Sequence, residues 1–122
     1  MLTELVAGID IGGTNTQLGL VDREGSIVHS ENFTTRAYSV PEELVDDIGF
    51  KIIDFFDVNK DKYLLKGVGI GAPNGNYYTG NIEFAPNLSW KGIVPLSELF
   101  SKSLHVPSIL TNDANAAALG EM

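Results

Sequence analysis

Residues 5–11 (LVAGIDI) are an apolar run with one charge, Asp10, near its end, and Gly12-Gly13-Thr14-Asn15 breaks the run at once. A short apolar run cut by turn residues reads as a strand buried in a sheet. The paired glycines let the chain reverse tightly and let another group approach the backbone closely. Residues 17–21 resume strand patterning, Asp22-Arg23-Glu24-Gly25 reads as a turn, and residues 27–34 as a returning strand.

A helix with a readable start follows. Ser39 can cap it, Pro41 falls in its first turn, and Glu42 lies three after Ser39 as in a capping box. Leu44, Ile48, Ile52 and Phe55 recur at helical spacing and predict one buried face. Residues 64–70 read as a strand ending in Gly71-Ala72-Pro73-Asn74-Gly75. Tyr77-Tyr78 and residues 82–84 then suggest a small hairpin around Thr79-Gly80-Asn81. Residues 96–104 predict a short helix and residues 106–110 a strand running into Thr111-Asn112-Asp113, after which residues 114–119 have helical propensity. An early hairpin followed by alternating helices and strands predicts an α/β domain, a mixed sheet with helices packed on it. No repeat or linker divides residues 1–122.

With 122 residues, 43% of them hydrophobic, the chain has material for one core and is not a disordered tail, coiled coil or collagen. Eight Lys plus Arg against sixteen Asp plus Glu leave a formal charge of −8, which argues against a nucleic-acid partner. There is no cysteine, hence no disulfide framework, thiol nucleophile or cysteine zinc site. No apolar stretch approaches a membrane span and no secretory signal is visible, so the expectation is a cytoplasmic protein without a membrane partner.

Three places can carry chemistry. Asp10 precedes a glycine turn whose N–H groups can face an anion, with Thr14, Asn15 and Thr16 adding side-chain donors. The same pattern fits a hairpin turn whose carboxylate caps free amides. It is not a P-loop, because GxxxxGK[ST] occurs nowhere. Gly67, Gly69 and Gly71 imitate a dinucleotide fingerprint, but they fall in the strand and Pro73 stands where a helix should open. Asp113 sits at a strand-to-helix junction, as a helix N-cap or as a carboxylate placed to take a proton from a substrate hydroxyl. Asn112 beside it suits a polyhydroxylated ligand, as does Asn87 in the loop Ala85-Pro86-Asn87-Leu88-Ser89-Trp90, although Asn is also an ordinary turn residue. His29 and His105 lack metal-ligand spacing, and Trp90 reads as a packing residue.

Four segments together resemble the ROK family of bacterial sugar kinases, its glucokinases especially. They are GIDIGGTNTQLGLVD (8–22), GVGIGAPN (67–74), FAPNLSW (84–90) and TNDANAAALGE (111–121), in family order and across nearly the whole chain. The resemblance implies an actin-like, ribonuclease-H-like ATPase fold in which two such domains close around hexose and ATP, this chain being the N-terminal one. It assigns Asp10, Gly12, Gly13, Thr14 and Asn15 to the ATP phosphate and magnesium region, with Asp10 reaching the metal through water. Asn87, Asn112 and Asp113 would hold the sugar, Asp113 acting as catalytic base. A structural zinc site of the family, the adenosine site and further sugar ligands would lie beyond Met122, so no zinc is expected here. Two departures stand out: many members carry Lys where Asn15 stands, and Gly where Asn74 stands. The family also contains sugar-responsive repressors, which carry an N-terminal helix-turn-helix where this chain starts almost directly with the phosphate motif. A kinase for another hexose or an N-acetylhexosamine fits the same motifs, and a homo-oligomeric complete protein is compatible with them.

Overall fold

The computed structural model describes residues 2–86 and 88–112. Strands β1 (Thr3–Ile11), β2 (Asn15–Val21) and β3 (Ile27–Thr34) form an antiparallel meander. A single 3-10 turn, Thr35–Ala37, leads to helix α1 (Pro41–Val58). Strand β4 (Tyr63–Gly71) then pairs parallel with β1 on its other side. A small antiparallel sheet of β5 (Gly75–Asn76), β6 (Asn81–Glu83) and β7 (Ile93–Val94) follows. Helix α2 (Leu96–Leu104) returns the chain to β8 (Ser108–Thr111), parallel to β4. The main sheet has the order β3-β2-β1-β4-β8, the mixed arrangement expected.

Alternation along β1 explains the core. Leu5, Ala7, Ile9 and Ile11 face one side and are buried together with Leu18, Leu20, Val68, Ile70 and Leu110. Leu44, Ile48 and Ile52 of α1 and Leu96, Phe100 and Leu104 of α2 belong to the same cluster. Phe55, the fourth residue of the helical stripe, is only partly buried and stacks on His29 with ring centroids 5.0 Å apart. Trp90 is a packing residue, 4% exposed, its indole N–H donating to the Tyr38 carbonyl at 3.1 Å.

Several boundaries differ from the expectation, each for a local reason. The N-cap of α1 is Val40 rather than Ser39, with no side-chain cap bond. Glu43, not Glu42, completes the helix entry by accepting the Ser39 N–H at 3.1 Å. Tyr77 and Tyr78 lie in the turn rather than in a strand, because the Asn76 side-chain oxygen accepts the N–H groups of Tyr78 (2.9 Å) and Thr79 (3.3 Å). Strand β8 starts at Ser108, two residues later than expected, since Pro107 has no N–H to give; its carbonyl accepts the Val68 N–H at 2.9 Å. The helical propensity of residues 114–119 falls outside the described residues.

Candidate functional site

Strands β1, β4 and β8 are parallel, so their C-terminal ends lie along one edge of the sheet. The register places a row of residues across that edge: Asn32 beside Gln17, Gln17 beside Asp10, Asp10 beside Gly71, and Gly71 beside Thr111. Residues opposite one another on paired strands share a face. The row is therefore a polar strip on the face away from α1, interrupted only by a glycine. Asn32, Gln17 and Asp10 are all exposed, and Asn112, which follows β8 directly, is exposed too. Asp10 makes no side-chain hydrogen bond or ion pair among the described residues.

The turn next to Asp10 is built differently from its sequence signature. Neither Gly12 nor Gly13 is among the residues of positive φ, so left-handed backbone is not what requires glycine here. Gly12 is needed for closeness: its N–H donates to the Asn15 carbonyl at 2.9 Å, and a Cβ would lie 2.9 Å from that same oxygen. Its N–H is thereby committed to the turn and withdrawn from any ligand. The N–H groups of Gly13 and Thr14 donate to no described residue and, with the exposed Thr14 hydroxyl, are the donors the turn presents.

This turn is braced from beneath. The Thr35 N–H donates to the Thr14 carbonyl at 2.9 Å. The hydroxyls of Thr16 and Thr35, 0% and 2% exposed, pair at 2.7 Å. Sequence reading named Thr16 only as a possible ligand donor and missed Thr35. The alternation Thr16, Leu18, Leu20 along β2 was the available signal, since it puts Thr16 on the core face.

The second and third groups fare unequally. Gly67, Gly69 and Gly71 are buried within β4, and after Gly71 the chain turns at Ala72, whose carbonyl accepts the Gly75 N–H at 3.1 Å. No helix opens there, which removes the dinucleotide fingerprint. Asn87 and Asp113 lie outside the described residues. The loop flanking Asn87 is anchored by buried Ala85, Leu88 and Trp90. Tyr38, which receives the Trp90 indole, has its phenol pushed above its usual value by burial, then by its hydrogen bond to Asp47 and that carboxylate's charge.

A magnesium ion suits this donor set in one way only. No three His, Cys, Asp or Glu side chains gather among the described residues. An exposed, uncommitted Asp10 is what a magnesium bound mainly by phosphate oxygens and water requires, because that ion commonly takes one or two carboxylates from the protein. Elsewhere, a cavity of about 350 Å³ lies at the opposite end of the sheet, lined by Ile52, Phe56, Leu64, Leu104 and Val106 among others. Its lining is mainly apolar, with Asp57 and Lys60 the charged members, and it shares no residue with the polar edge.

Fold and edge together define the class: a mixed sheet with helices, of the actin-like ATPase fold found in sugar kinases of this type. The sequence profile of the ROK family matches residues 6–122, and the chain belongs to that family. It is 36% identical over 118 residues to a glucokinase from Streptomyces coelicolor, spanning 96% of this chain and 35% of that protein. It is 32% identical over 116 residues to a xylose repressor from Bacillus spizizenii, spanning 93% of this chain and 29% of that protein. Among solved structures, a ROK family glucokinase from Streptomyces griseus in complex with glucose and AMPPNP superposes with a TM-score of 0.72 at 34% identity. That match covers 96% of this chain and 36% of the glucokinase. The chain thus spans about a third of the length of these relatives.

Proposed function

We propose that the complete protein transfers the γ-phosphoryl group of ATP to a hexose, glucose at its 6-hydroxyl. Residues 1–122 would supply the N-terminal sugar- and phosphate-binding domain, closed by a C-terminal domain. The observation that carries this reading is the convergence of the β1, β4 and β8 ends, which brings Asp10, the Gly12–Asn15 turn and Asn112 to one open edge. Similarity to glucokinases over nearly the whole chain supports it. In the mechanism, Asp113 takes the proton of the attacking hydroxyl, while Asn87 and Asn112 hold neighbouring hydroxyls. The N–H groups of Gly13 and Thr14 and the side chains of Thr14 and Asn15 receive the phosphates. Magnesium, held through Asp10 by way of water and by phosphate oxygens, would neutralise charge on the transferring group.

General-base catalysis is worth about 10²–10⁴-fold. Asp113→Asn in the complete enzyme is therefore expected to lower kcat by about that factor while changing hexose affinity far less. Steady-state kinetics with ATP and a panel of hexoses and N-acetylhexosamines checks both the base and the sugar. Near-normal turnover in the variant removes Asp113 from the role.

Similarity to xylose repressors at 30–32% identity favours a second reading, a sugar-sensing domain without phosphoryl transfer. The same assay separates the two: a sensor binds its sugar and turns over no ATP.

A further inference from the structure

Asn74 stands just past β4 in the left-handed region, at φ +56°. Its backbone carbonyl accepts the Glu83 N–H at 3.0 Å. Its side-chain Nδ2 donates to two carbonyl oxygens, those of Glu83 and Phe84, each at 3.1 Å. Phe84 is itself left-handed, at φ +53°, and the residue is 68% exposed. A bulky residue in that region is strained and persists only where its surroundings over-determine it. Here the constraints are the Asn74 amide on its carbonyl and a 2.9 Å bond from its N–H to the Gly92 carbonyl. Immediately after Phe84 the chain enters residues 85–90, the loop that carries Asn87.

We propose that Asn74 is a positioning residue for the hexose, acting through the Glu83 and Phe84 carbonyls to set where residues 85–90 present their sugar-binding groups. The inference rests on the hexose-kinase reading above. Asparagine suits the position on two counts. It tolerates positive φ better than most residues, and one amide nitrogen carries two donors for two carbonyls. Glycine would keep the backbone angle and supply no donor. Aspartate would turn a carboxylate toward two carbonyl oxygens. Sugar recognition is sensitive to such changes, because small displacements of a binding group cost far more than their size suggests.

The experiment compares Asn74→Gly with wild type in the complete enzyme. The expected result is a KM for hexose raised about tenfold, with KM for ATP unchanged within about twofold. Hydrogen exchange of the same two proteins should show faster exchange in residues 84–90 and unchanged exchange in residues 15–21. Loss of a general structural role would instead raise both KM values and quicken exchange in both segments, and that outcome overturns the proposal. A hexose KM unchanged within about twofold in an active enzyme overturns it as well. Failure of the wild-type protein to phosphorylate any hexose overturns the kinase reading instead, and is recognised because the defect is then in the wild type.

Discussion

Thr16 and Thr35 are the two buried polar side chains among the described residues, and their hydroxyls satisfy each other. A buried hydroxyl left without its partner carries its desolvation cost, about 1–3 kcal/mol. Thr16→Val or Thr35→Val alone is therefore expected to destabilise the protein by about that amount. The double substitution should cost less than the sum of the singles, because it leaves neither hydroxyl stranded. Denaturant unfolding of the four proteins of the cycle checks this, and simple additivity would show that the pair is not coupled. The Thr35 backbone N–H that holds the Thr14 carbonyl is kept in these variants, so the turn that presents the Gly13 and Thr14 amides retains that bond. The exposed ion pairs carry no comparable argument: Arg23–Glu4 and Lys102–Glu98 are both largely in water, where such pairs contribute little.

Among the elements, the junction of β4, β5 and β8 decides the shape of the candidate site. A Cβ on Gly75 would lie 2.6 Å from both Leu110 Cδ2 and the Thr111 carbonyl oxygen. The backbone oxygen cannot move aside as a side-chain tip could, so Gly75→Ala must push β5 away from β8. Overpacking of this kind costs about 1–3 kcal/mol. We expect Gly75→Ala to lose that much stability and also to weaken hexose binding, since Thr111 leads directly into Asn112. Thermal unfolding together with the hexose KM of the complete enzyme tests both parts. An unchanged melting temperature would mean that β5 has room to shift.

Across the molecule, one face of the sheet is covered by α1 and α2 and the polar edge stands open. Asp10, Thr14, Asn15, Gln17 and Asn112 are all exposed. Phosphoryl transfer calls for a site that excludes water around the reacting groups. The purified 122-residue chain is accordingly expected to show no ATP-dependent phosphorylation of any hexose, in contrast to the complete protein. A coupled assay for ADP release checks this, and efficient turnover by the short chain would overturn the two-domain reading. No described helix is long and apolar enough to cross a membrane.

Much of this architecture was legible in the sequence, because period and punctuation are local properties. The apolar run before Gly12, the Leu44-Ile48-Ile52 stripe and the bounds of α2 each follow from residues close together in the chain. The four motif segments likewise gave the family. Tertiary structure alone decided how β4 and β8 join the early meander, and so which distant residues meet. Neighbours in the row from Asn32 to Thr111 lie up to 61 positions apart, Asp10 beside Gly71, and no local pattern encodes a register of that kind. The Thr16–Thr35 pair is 19 residues apart, and the Asn74 amide reaches carbonyls 9 and 10 residues on. Glycine shows the same division. The sequence by itself announced a turn at Gly12-Gly13, but only the packed chain shows that Gly12 serves close approach to the Asn15 carbonyl rather than a left-handed bend. Local propensity chooses the elements, whereas hydrogen bonding and burial between distant segments choose their partners.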